Sequence, residues 1–129
     1  MKSVYDAIKA AFTIRAVTAT ATATGTGVDT LGYNSAAVAL EVGVVSGTSP
    51  TLDVKIQDSA DNSTFADVTG LTFTQVTATG NSQILRVDGL NTSTRRRYLR
   101  AVGTIAGTTP SFAFGVEILL GRAFRLPAN

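Results

Sequence analysis

The chain has 129 residues, neither Cys nor His, and a formal net charge of +2. A chain of this length suits one domain that buries its core without crosslinks, and the absence of Cys excludes disulfide frameworks, thiolate metal sites and cysteine nucleophiles. Charged residues make up 16%, below the ~25% of an average soluble domain, so the surface suits protein contact and is a poor electrostatic footprint for nucleic acid.

Val4, Ile8, Ala11 and Phe12 recur at helical spacing, with Asp6 early and Lys9 later as the helix dipole favours. This predicts a short amphipathic N-terminal helix, which is marginal in water unless its apolar stripe docks on its own domain or a neighbour. From Val17 to Gly27 the chain reads VTATATATGTG, a pattern that permits a strand but supplies almost no core volume. It is either an edge strand of the domain or an extended arm that pairs with another subunit. Residues 1–27 are therefore read as helix and arm, and 28–129 as the folded domain.

After turn residues Gly32, Tyr33 and Asn34, the side chains of Val38, Leu40, Val42 and Val44 alternate with Ala37, Ala39, Glu41 and Gly43. This is the clearest strand, and its second face is nearly all small, so a partner can approach it closely. The SGTSP segment, Ser46 to Pro50, ends it, and Leu52, Val54 and Ile56 alternate in the next strand, predicting a hairpin. Asp58 to Phe65, DSADNSTF, carries dense turn chemistry because these side chains bond their local backbone. Further strands are predicted at Leu71 to Thr77, Ser82 to Asp88, Arg97 to Ile105 and Ser111 to Leu120.

One internal repeat stands out. VVSGTSPTLDVKI, from Val44 to Ile56, recurs sixty positions later as TIAGTTPSFAFGVEI, from Thr104 to Ile118, with two extra residues at its end. Leu52, Val54 and Ile56 fall on Phe112, Phe114 and Val116. Two similar hairpins, about eight short strands and frequent turns predict an all-β, two-sheet antiparallel sandwich, jelly-roll-like, with a small closed barrel as the alternative. Its core is expected to hold Val38, Leu40, Val42, Leu52, Val54, Ile56, Leu99, Phe112, Phe114 and Val116.

Without His or Cys, an enzyme would have to work through carboxylates, lysine, tyrosine or a lysine-activated serine. Asp53, Asp58, Asp61, Asp67 and Asp88 fall at outward strand positions or in turns, where solvation accounts for them, so no catalytic residue, no metal site and no cofactor is assigned. Asp58, Asp61, Asn62, Ser63 and Asp67 do not match the spacing of a helix-loop-helix calcium loop, and a self-bonded Asx turn explains them. Arg95, Arg96 and Arg97 form the one charge run. In a strand, Arg96, Tyr98 and Arg100 share one face, and both residue types are enriched at interfaces; a solvated strand start that deters edge aggregation is the plainer reading. The candidate interface residues are thus Val4, Ile8, Phe12, Arg96, Tyr98 and Arg100. Lys9 and Arg15 interrupt the only stretch that could begin a secretory signal, and the longest apolar run, Ala36 to Val45, is about half the ~20 residues of a spanning helix. A soluble chain without membrane or nucleic-acid partners is expected.

The run VDTLGYNSAAVALEVGVVSGTSPTLDVKIQDSADNSTFADV, followed by RRRYLRAVGTIAGTTPSFAFGVEILLG, resembles the capsid decoration, or cement, proteins of tailed bacteriophages. The resemblance covers most of Val28 to Gly121 and lies in residue texture, not in a catalytic signature. It implies a jelly-roll-like sandwich, made in the host cytoplasm, that binds the virion's capsid exterior as a homo-oligomer, dimer or trimer. There it would contact the major capsid protein and bridge neighbouring capsomers. KIQDSADNSTF also resembles a segment of jelly-roll lectin-like modules, giving a carbohydrate-binding sandwich as the second reading; the lack of Trp weakens it. A tail or head-fibre base protein is the third.

Overall fold

The computed structural model describes residues 8–88, 90 and 96–123, with the side chains of all but Ile8, Arg122 and Ala123. The fold is all-β and antiparallel. The strands are β1 (Ile8–Ala19), β2 (Ala23–Thr24), β3 (Val28–Asp29), β4 (Tyr33–Ser59), β5 (Ala66–Thr72), β6 (Asn81–Asp88) and β7 (Tyr98–Ala123). One hydrogen-bonded sheet contains all of them. Its path is β1-β7-β4-β5, with β2 and β3 also on β7 and β6 also on β4.

The frame is the pair of long strands β4 and β7, paired from Tyr33↔Ala123 to Ser59↔Tyr98 with three register shifts between Val42 and Thr51. This corrects the expected hairpins. The GTSP and GTTP segments do not reverse the chain; they bend it, and the repeat pairs with itself. Val45 opposes Phe112 and Leu52 opposes Ile105, two pairs that a shift of sixty residues exchanges, so the repeat becomes a local pseudo-twofold axis between the strands. The bend depends on left-handed backbone at Gly47 (φ 112°), Ser49 (φ 49°), Gly107 (φ 123°) and Thr109 (φ 46°). A Cβ on Gly47 would lie 2.7 Å from the Thr109 carbonyl oxygen, and one on Gly107 would lie 2.8 Å from that of Ser49. Each glycine therefore admits the other strand's backbone, which only glycine permits at this φ.

Beyond the bend the sheet folds onto itself. One half holds β1, β6 and residues 33–45 and 112–123; the other holds β2, β3, β5 and residues 51–59 and 98–106. Phe114, opposite Val42 in the first half, lies 3.0 Å from where a Cβ of Gly103 would stand, and Gly103 is opposite Val54 in the second. The ten residues expected in the core are all buried, from 0% exposed at Val38, Leu52, Ile56, Leu99, Phe112 and Val116 to 5% at Val42. Leu71, Phe73, Val76, Val87 and Leu90 close the same core.

The N-terminal helix is not formed where the structure describes the segment. Ile8 to Phe12 are strand, each opposite a β7 residue from Gly121 to Glu117; Val4 lies outside the described residues. The threonine-alanine stretch pairs within its own chain, with Ala23↔Gly103 and Thr24↔Val102. Thr13, at a bulge in β1, ties the two halves: its hydroxyl donates to the Thr26 carbonyl (2.8 Å) and accepts from the Ala101 N–H (3.0 Å). The strand expected at Leu71 to Thr77 instead spans Ala66–Thr72, followed by a single bridge from Val76 to Leu52. The Asp58 to Phe65 turn is self-bonded: Asp61 Oδ1 accepts from the Ser59 hydroxyl and from the Ser63 and Thr64 N–H groups, each at 2.9 Å. Those donors lower the Asp61 carboxyl to about 2.

Candidate interaction surface

Period-two alternation sends Val38, Leu40, Val42 and Phe112, Phe114, Val116 inward, so the opposite phase of both strands must face out. That phase is small. Directly opposed residues share a face, and the pairs Phe12↔Glu117, Ala39↔Glu117 and Ala39↔Ile84 form one row across β1, β7, β4 and β6. The next row holds Gly115, Glu41 and Ser82, and the row before it Ala10, Leu119, Ala37 and Arg86. The floor at Ala39, Gly43, Ala113 and Gly115, with Phe12 and Val17 beside it, encloses a shallow trough of about 650 Å³. Phe12 is 46% exposed, Val17 47% and Ile84 75%; Phe12 and Ile84 stand on the two outer strands, about 14 Å apart at ~4.8 Å per strand. The trough's charged groups are Glu41 and Glu117, and Glu41 accepts a hydrogen bond from Ser82.

The expected small face of Ala37, Ala39 and Gly43 is thus present and continues onto β7. The contribution of Ala113, Gly115 and Glu117 was readable from SFAFGVEIL as the phase opposite Phe112, Phe114 and Val116. That of Ala16 and Val17 was not, because the β1 register shifts between Phe12 and Ile14 and again before Val17.

The candidate interface residues that the structure describes do not converge. Phe12 borders the trough, Ile8 opposes Gly121 at the start of β1, and Val4 is outside the described residues. Arg96 lies just before β7, and Tyr98 and Arg100 lie in its other half, where the arginines hold neighbouring segments of this chain. The Arg100 Nε donates to Gln57 (2.8 Å) and its guanidinium lies 3.9 Å from the Phe65 ring centroid. Arg97 forms a two-point pair with Asp29, both contacts at 2.8 Å, and lies over Tyr98. Asp58, expected in solvent, is 6% exposed: its carboxylate accepts the Arg96 N–H at 3.2 Å and faces the Arg96 Nε at 3.4 Å, which replaces the lost hydration.

The Arg97 hydrogen bonds hold the Asp29 carboxyl at about 2, below its ordinary 3.8. A depressed carboxyl contributes stability above its unfolded pKa and loses it as pH falls through the folded one. Stability is therefore expected to be flat from neutral pH to about 5 and to decline as pH falls through about 4 toward about 2. Asp29→Asn should flatten that decline modestly, since half-exposed pairs are screened. Urea midpoints measured across this range check it; an Asn variant with an unchanged acid slope would count against the pairing.

Comparison with solved structures identifies the fold. A chain in the structure of the infectious bursal disease virus Gx strain is similar at TM-score 0.60 and 10% identity, over 93% of this chain and 33% of that one. This chain spans about a third of that protein's length. The prophage-derived protein YomS of SPBc2 is similar at TM-score 0.50 and 12% identity, covering 94% of this chain and 100% of YomS. A chain of the naturally occurring empty particles of cowpea mosaic virus is similar at TM-score 0.50 and 11% identity, over 95% of this chain and 91% of that one. No protein-family model matches the chain, and no curated protein matches it.

Proposed function

We propose that this chain is a non-enzymatic structural component of a virion, a jelly-roll-like sandwich that attaches to the outer capsid surface and bridges neighbouring capsid subunits. The observation that carries the reading is the outward trough: a small-residue floor that accepts bulky apolar side chains, flanked by exposed Phe12 and Val17, with Glu41 and Glu117 to pair with cations of the partner. Two of the similar folds occur in virus particles and a third is prophage-derived. Among the described residues no group of three or more His, Cys, Asp or Glu side chains could hold a metal ion. The chain's chemistry is that of contact, and its partner in this reading is the major capsid protein.

Purified particles provide the test. Quantitative mass spectrometry is expected to find the chain in fixed ratio to the major capsid protein, and cryo-electron microscopy to find it on the head exterior. Far fewer copies, at the tail or fibre base, would transfer the protein to that role, and absence from particles would refute the proposal. The trough itself is tested by Ala39→Trp, which fills the floor from outside the core. Rebinding to particles stripped of the protein should weaken by about tenfold or more, equivalent to ~1.4 kcal/mol, while Leu31→Trp, at an exposed position outside the trough, should rebind as the parent does.

A further inference from the structure

We infer that β6 is a dimerisation edge, at which a second copy of this chain adds its own β6 antiparallel and joins the two outer faces into one sheet. Among the described residues β6 is paired only with β4. The two other long outer strands are irregular on their inner partners: β1 carries two register shifts and β5 one. β6 has none over its eight residues, from Ser35↔Asp88 to Val42↔Asn81. Bulges, prolines and charges, lysine above all, are what keep exposed edges from pairing; β6 has no bulge, lysine or proline, and its charges are Arg86 and Asp88. It also carries Ile84, the most exposed large hydrophobic side chain among the described residues.

The pattern of residues selects a second copy as the occupant. A twofold axis normal to the sheet keeps outer faces together, so residues of like parity must oppose one another. Centring the axis on Ile84 sets the two Ile84 side chains side by side and places Arg86 of each copy opposite Ser82 of the other. Ser82 is opposite Glu41 across β4 and hydrogen-bonded to it. Each Arg86 thereby comes within side-chain reach of the other copy's Glu41, two strand spacings or roughly 10 Å between backbones. Two symmetric ion pairs flank one apolar contact. Among the described residues Arg86 has only the exposed pair with Asp88, 82% and 60% exposed, which is weak enough to exchange. An eight-residue edge is about 27 Å long and buries less than the ~1,200–2,000 Å² of a stable interface, so the dimer is expected at micromolar concentrations and upward.

The absence of native cysteine makes the test unambiguous. Full-length protein carrying Ile84→Cys, mildly oxidised without particles present, should convert to a disulfide dimer, because a twofold through this position brings the two backbones within bonding range. Leu31→Cys and Val44→Cys, at 55% and 68% exposure, should crosslink at least about tenfold more slowly. In the cysteine-free protein, sedimentation should give a monomer–dimer equilibrium that Arg86→Glu weakens and Glu41→Arg in the same chain restores. A protein that remains monomeric at high micromolar concentration, one that forms trimers, or one in which Ile84→Cys crosslinks no faster than the controls would overturn the inference. Because these measurements use no particles, failure here leaves the virion role standing, and failure to find the chain in particles leaves the dimer standing.

Discussion

Phe112→Ala is expected to lower the unfolding free energy by about 3–5 kcal/mol, a large share of the ~5–15 kcal/mol available to a domain. Phe112 is the largest of the fully buried side chains and is 0% exposed. It stands just past the bend in β7, opposite both Val45 on β4 and Ala19 on β1, where the sheet turns onto itself. Neighbours held by hydrogen bonds on two sides cannot collapse into the space the ring leaves, so both transfer and cavity terms are lost. Ile84→Ala, a truncation at an exposed edge, should stay within about 0.5 kcal/mol in monomeric protein. Urea unfolding of the two variants measures the contrast. A cost below about 1 kcal/mol for Phe112→Ala would mean that the halves do not pack as described.

Gly107→Ala and Gly47→Ala are each expected to cost about 2–4 kcal/mol, and to cost nearly the same. Both residues have left-handed φ, and an added Cβ would stand 2.7–3.1 Å from backbone atoms of the opposing strand: Thr109, Pro110 and Thr108 for Gly47, and Ser49, Pro50 and Thr48 for Gly107. These backbone atoms lie at the crossing itself, between the paired stretches of β4 and β7 and beside the Thr48↔Thr108 pair, so they cannot move aside without disturbing the pairing that flanks them. Gly80 separates the two causes, since its φ is +76° but nothing lies within 4 Å of its Cβ position. Gly80→Ala therefore carries only conformational strain, about 1 kcal/mol. The Gly47→Ala, Gly107→Ala double variant should cost less than the sum, because both act on one crossing. Thermal or urea unfolding that ranks Gly80→Ala with the other two, or finds the double strictly additive, would argue against a shared crossing.

Much of the local structure was legible before the fold was known. The inward sets Val38-Leu40-Val42, Leu52-Val54-Ile56 and Phe112-Phe114-Val116 follow from alternation, because successive side chains of a strand point to opposite faces whatever the strand pairs with. The same rule made the small outer face of β4 readable, and the Asp58 to Phe65 turn followed from side chains that bond their own backbone. The helix expected around Val4, Ile8 and Phe12 shows the limit of such rules. A spacing of four satisfies period two as well as a helical repeat, and a helix this short has little to hold it, whereas as strand each of Ile8 to Phe12 gains a partner on β7.

What the chain by itself determined, then, is which side chains turn inward and where the backbone must bend; which strand meets which was decided only by the tertiary structure. The GTSP and GTTP repeats announced two equivalent bends, yet nothing local distinguishes a bend that closes its own hairpin from one that crosses its copy sixty residues away. The crossing, with its three register shifts, joins the two paired stretches of β4 and β7 that run from Tyr33↔Ala123 to Ser59↔Tyr98. It also brings Ala39, Gly115 and Phe12 to one trough and commits Arg96, Arg97 and Arg100 to Asp58, Asp29 and Gln57. Side-chain direction is a property of a single strand, whereas pairing is a competition among all the edges a chain presents, and that competition is settled by the burial that the whole assembly of strands achieves.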